Sequence, residues 1–141
     1  MMVLVDTSVW SLALRRKQAD LSPEEQSLKT ALQELVQDGR AQIVGPVRQE
    51  LLSGIRAEGS FHKVSDALRA FDEPQLQIQD YEEAARISNI CRVRGIAGSA
   101  IDFLICAISQ LRNWEVFTTD RDFIRYSKVL PLRLYRGSES R

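Results

Sequence analysis

Met1-Met2-Val3-Leu4-Val5-Asp6-Thr7-Ser8-Val9-Trp10 decides how the rest of the chain is read, because a short apolar run breaks off in an acid and two hydroxyls. The run predicts a buried strand over residues 2–5, too short for a signal peptide or a membrane span. Asp6 then falls at the strand's carboxyl tip. In open parallel sheets ligands gather outside the carboxyl ends of the strands, so an acid there is placed for chemistry. What matters next is whether the remaining sequence carries more acids to that edge.

Working outward, Thr7 or Ser8 can cap a helix with Val9, Trp10, Leu12 and Leu14 inward, closed by Arg15-Arg16-Lys17, whose charges suit a helix C-terminus. Ser22-Pro23-Glu24-Glu25 is a capping box with Pro at the first helical position. It opens a helix bearing Leu28, Leu32, Leu35 and Val36, stopped by Gly39. A second strand is expected over 41–44, and Gly45-Pro46 turns into a helix with Val47, Leu51, Leu52 and Ile55. A loop over 55–60, a helix over 61–71 and a third strand at Leu76 and Ile78 follow. Asp80 and Glu83 read as a capping box for a helix running to Arg94. Gly98 and Ser99 open a helix over 100–111. A fourth strand covers 116–118, a short helix 123–127, and a last strand 132–135. Strands alternating with helices imply a parallel α/β sheet with helices on both faces.

With 141 residues and 44% apolar content the chain has enough material for one core and one domain. Nineteen Lys and Arg balance nineteen Asp and Glu, so bulk charge selects no polyanionic partner and any such contact must use a local patch. Cys91 and Cys106 lie in apolar helical patterns without metal-ligand spacing, which suits free core thiols in a reducing compartment, with a disulfide as the lesser alternative. A cytoplasmic location without membrane association is expected.

Three acids join Asp6. Glu50 lies in a helix that starts right after a strand, so its N-terminal turns share the Asp6 edge. Asp102 is the lone charge in a helix apolar nearly all round (Ile101, Phe103, Leu104, Ile105, Ala107, Ile108), where a carboxylate needs a partner. Asp120 repeats the order of apolar strand, hydroxyl and acid, with Asp122 two residues on. Each has a plainer alternative: Asp6, Asp120 and Asp122 as helix caps, Glu50 as a solvated helix acid, Asp102 as the partner of a buried arginine. Converging carboxylates raise one another's pKa and call for protonation or a cation. An all-oxygen set suits Mg2+ or Mn2+ rather than Zn2+, and the single histidine, His62, sits in a polar, surface-type segment. Such a site without a phosphate-binding glycine loop points to metal-assisted hydrolysis of a phosphodiester.

These segments resemble the PIN-domain nucleases, and among them the VapC-like ribonuclease toxins of bacterial type II toxin-antitoxin systems. The resemblance spans the chain and rests on Val5-Asp6-Thr7-Ser8-Val9-Trp10, Pro46-Val47-Arg48-Gln49-Glu50-Leu51-Leu52, Asp102-Phe103-Leu104-Ile105-Cys106-Ala107 and Phe117-Thr118-Thr119-Asp120-Arg121-Asp122-Phe123. It implies that Asp6, Glu50, Asp102 and Asp120 are the catalytic, metal-binding acids, with Thr118, Asp122 and Ser99 accessory. It also implies a sheet of about five parallel strands, Mg2+ or Mn2+ as cofactor, RNA as substrate, a homodimer, and a cognate VapB-like antitoxin lying across or near the site. The nuclease domain is expected over 1–136, with 137–141 as a short tail.

Arg48, Arg92, Arg94 and Arg121, together with the Arg15-Arg16-Lys17 cluster, are the cations available to guide an RNA backbone; solvated helix ends are the alternative for each. Rival classes fit less well. A haloacid-dehalogenase-type phosphatase would carry a second Asp where Ser8 stands, and a phosphoacceptor receiver would need an acid pair before Asp6 and a lysine after its last strand. A metal-free module of the same fold would have lost an acid, and none is lost. A PIN nuclease of RNA processing or DNA metabolism is the nearest alternative.

Overall fold

A computed structural model describes residues 1–137; residues 138–141 of the expected tail lie outside the described residues. Three parallel strands form the sheet in the order β2-β1-β3, with β1 (Val3–Val5) central, β2 (Ala41–Gln42) on one side and β3 (Glu115–Phe117) on the other. Leu4 pairs with Gln42 and with Val116, so the two neighbours run in register along β1. The helices are α1 (Thr7–Leu14), α2 (Pro23–Gln37), α3 (Gly45–Leu52), α4 (Glu58–Leu68), α5 (Ile78–Val93), α6 (Ala100–Arg112) and α7 (Asp122–Ser127). The single α/β domain is as expected. Among the described residues the regular strands number three rather than about five.

Two local competitions explain the missing strands. Leu76 and Ile78 do not form one: the Gln77 N–H donates to Asp80 Oδ2 at 2.7 Å, starting α5 at Ile78, whose side chain is 77% exposed. Asp80 is therefore three residues into its box rather than at its start. Glu83, expected as its partner, pairs with Arg86 instead. Leu132–Tyr135 does run beside β3, but pairs only through one bridge, Val116 with Leu134, because Pro131 and the tight turn after α7 leave it little length to align. The helix expected over 61–71 starts earlier, at Glu58, and stops at Leu68, which frees Phe71 to meet the Trp10 ring edge-on at 5.1 Å.

The core gathers the sheet with buried residues from all seven helices, α6 giving the longest run. Val3, Leu4, Val5, Ile105, Cys106, Ala107 and Ile108 are completely buried. Fully burying a side chain of Val, Leu or Ile size stabilises by about 1.5–3 kcal/mol, so this layer dominates the fold. Trp10 fastens α1 to β1 by donating from Nε1 to Val5 O at 3.0 Å. The Ser22–Glu25 capping box forms as read, whereas Val36, expected inward, is 37% exposed. Cys91 and Cys106 are buried and free. Among the described residues no helix is long and apolar enough to cross a membrane.

Candidate active site

Asp6 ends β1 and takes the N-cap position of α1, which neither Thr7 nor Ser8 occupies. Its main-chain oxygen accepts from the Val9 and Trp10 amides, while its carboxylate makes no capping bond and turns toward β3. There Oδ2 accepts from Ser8 Oγ at 2.9 Å and from Thr118 Oγ1 at 2.8 Å. The Asp120 N–H donates to Thr118 Oγ1 and the Asp122 N–H to Asp120 Oδ1, so each polar group of the loop after β3 orients the next. From the other side Asp102 enters on the first turn of α6, its N–H donating to the capping Ser99 Oγ at 3.0 Å. Helix N-terminal dipoles favour an anion there.

Asp6, Glu50, Asp102, Asp120 and Asp122 line one open cavity of about 700 Å³, and among the described residues lining it Arg125 is the one cation. The five acids thus converge, though unequally. Carboxylate oxygens of Asp102, Asp120 and Asp122 lie within 4.8 Å of one another, whereas Asp6 and Glu50 stand outside that trio on the same wall. Burial is the largest influence holding the Asp6 carboxyl above the usual carboxylate range; the Thr118 and Ser8 hydroxyls oppose the rise and the Glu50 charge adds to it. Burial likewise raises Asp102, against hydrogen bonds from Tyr126 and Ser99 and with the charges of Asp120 and Asp6. Both groups are strained toward protonation, a tension that an added cation relieves.

A divalent oxygen-seeking ion fits this donor set. Neither His62, exposed and paired with Glu58 at 3.1 Å, nor the buried cysteines line the cavity. Asp102, Asp120 and Asp122, with Asp6 beside them, are the residues that would hold Mg2+ or Mn2+.

The cations read from sequence fare differently. Arg48 is committed elsewhere: Nε meets Glu73 Oε1 at 2.8 Å and Nη2 donates to Leu68 O, bracing α3 against the end of α4. Arg16 likewise ties the α1 terminus to Glu25. Arg92, Arg94 and Arg121 are exposed, and none lines the acid cavity. Sequence reasoning passed over Arg125, which bonds Asp122 at 2.8 Å, and Tyr126, which donates to Asp102 Oδ2 at 2.6 Å. Tyr126 left a trace in the sequence. A tyrosine three residues after Phe123 on the inward side of a helix needs a partner for its hydroxyl.

A parallel α/β domain with an oxygen-only acid cavity at the carboxyl edge of its sheet defines the class. Within that class the chain belongs to the PIN domain family, whose model matches residues 3–129. Similar solved structures share the fold at low identity. A chain of VapBC2 from Rickettsia felis bound to a DNA fragment from their promoter is 16% identical with a TM-score of 0.75, covering 96% of this chain and 98% of its own. FitAcB from Neisseria gonorrhoeae is 16% identical at TM-score 0.72, covering 96% and 97%. VapBC-1 from nontypeable Haemophilus influenzae is 13% identical at TM-score 0.68, covering 96% and 97%. No curated protein matches the chain significantly.

Proposed function

We propose that this chain is a Mg2+- or Mn2+-dependent endoribonuclease acting as the toxin of a type II toxin-antitoxin pair, in the cytoplasm, as a homodimer, with a cognate VapB-like antitoxin as its partner. The carrying observation is the convergence of Asp6, Glu50, Asp102, Asp120 and Asp122 on one open cavity without a histidine or thiolate. Family membership and the likeness to chains from VapBC and FitAB complexes support the toxin reading. The unit responsible is a single nuclease domain over 1–136 followed by a tail over 137–141. When bound, a divalent cation supplies Lewis-acid polarisation of the scissile phosphate and of the attacking water. Asp102, Asp120 and Asp122, with Asp6 beside them, would hold that charge. Ser8 and Thr118 fix the rotamer of Asp6, and Glu50 adds negative potential at the cavity rim. Arg125, the cation beside the acids, is suited to the phosphate of the RNA, and Arg92, Arg94 and Arg121 to its flanking backbone.

The test compares purified wild type with Asp6→Asn on total RNA and tRNA, with Mg2+ or with chelator. Wild-type cleavage should require the metal, and Asp6→Asn should lose on the order of 100-fold in rate, as removal of several kcal/mol of transition-state stabilisation dictates. Cleavage that survives both the substitution and the chelator excludes the metal mechanism. Expression in the native host should arrest growth, relieved by Asp102→Asn. Cleavage without arrest would assign a housekeeping nuclease instead.

A further inference from the structure

Asp102 sits at the start of α6, where its main-chain N–H donates to the capping Ser99 Oγ. What reaches its carboxylate is Tyr126, from α7, whose hydroxyl donates to Asp102 Oδ2 at 2.6 Å. Tyr126 is completely buried, and its ring is clamped by Phe123 at 5.1 Å and by Phe103, the neighbour of Asp102, at 5.5 Å. A clamped ring delivers its hydroxyl to one place. Gly98 keeps that place open: a Cβ there would lie 2.5 Å from the Tyr126 oxygen and 2.6 Å from Phe103 Cζ, although Gly98 has ordinary backbone angles and no conformational need to be glycine. Clearance for the tyrosine hydroxyl and for the Phe103 ring that clamps it accounts for the glycine.

We infer that Tyr126, with the clearance provided by Gly98, is a positioning residue that fixes one oxygen of Asp102 so that the carboxylate presents a set orientation to the bound cation. Partners behind a metal-ligating carboxylate typically govern affinity or activity by 10–100-fold. The inference rests on the metal-dependent reading above and concerns a contact outside the acids themselves. The experiment is Mn2+ titration calorimetry on the metal-free full chain, alongside its melting temperature and RNA cleavage, for wild type, Tyr126→Phe and Gly98→Ala. Tyr126→Phe keeps the ring and its packing, so metal-free melting should stay within a few degrees while Mn2+ affinity weakens about 10-fold or more. Gly98→Ala leaves the tyrosine chemically intact but displaces it, and should weaken Mn2+ in the same direction; it carries the test if Tyr126→Phe fails to fold. Variants that bind Mn2+ as wild type does overturn this inference alone. A wild type that binds no Mn2+ overturns the proposed function and this inference with it, whereas a wild type that binds Mn2+ without cleaving RNA leaves the affinity comparison decisive.

Discussion

At the residue scale, Asp102 trades stability for a charge. Burial is the largest influence holding its folded carboxyl above the ordinary carboxylate range. Folded protein therefore holds the Asp102 proton to higher pH than unfolded chain does, and stability falls as pH rises through the interval between the two values. Asp102→Asn removes that burden while its side-chain carbonyl can still accept from Tyr126. Metal-free Asp102→Asn should thus melt above metal-free wild type at pH 7, with the gap closing as the pH is lowered through the carboxylate range. Scanning calorimetry across pH reads this directly, and a variant that melts lower at pH 7 contradicts it. The sequence pointed to Asp102 through its isolation among apolar residues. It could not name the partner, because Tyr126 approaches from 24 residues downstream and only packing brings the two together.

Among elements, α5 and α6 are joined by a buried ion pair whose acid, Asp80, the sequence marked only as a helix cap. Arg112 donates to both oxygens of Asp80, at 2.6 and 3.1 Å, and Asp80 is 2% exposed. The Arg112 hydrogen bond is the largest influence holding the Asp80 carboxyl below its ordinary range. Its contribution is therefore fully present above the ordinary carboxylate pKa near 4 and is lost as the pH falls through the depressed folded value. Arg112→Leu strands the carboxylate and should cost about 3 kcal/mol at pH 7 by urea unfolding, a deficit that shrinks in acid once Asp80 is protonated. A pH-independent deficit would assign the loss instead to the Arg112 guanidinium lying over the Trp114 ring, 5.7 Å from its centroid. Elements whose signals are local were legible: the Ser22 capping box, the Pro46 start of α3 and the apolar run of α6. Leu76 and Ile78 misled because two alternating apolar residues cannot outcompete a capping bond from Asp80, and that bond is favoured by an arginine on another helix.

For the whole molecule, metal binding and folding are linked. Mn2+ at about 100 times its Kd should stabilise the fold by about 2.7 kcal/mol, or on the order of 5–10 °C in melting temperature for a domain of this size. Asp6→Asn should show a much smaller shift; equal shifts in the two proteins would place the ion elsewhere. The seat of Asp6 spans nearly the full chain, since the Thr118 hydroxyl that meets it lies 112 residues away. A nascent chain consequently carries Asp6 without its Thr118 partner until 112 further residues have been made, and the cavity closes only after β3 and α7 have emerged and docked. Long-range closure of this kind is slow and late in folding. A truncation before residue 118 leaves Asp6 without its Thr118 hydroxyl and the cavity without Asp120 and Asp122, however well the remaining helices pack.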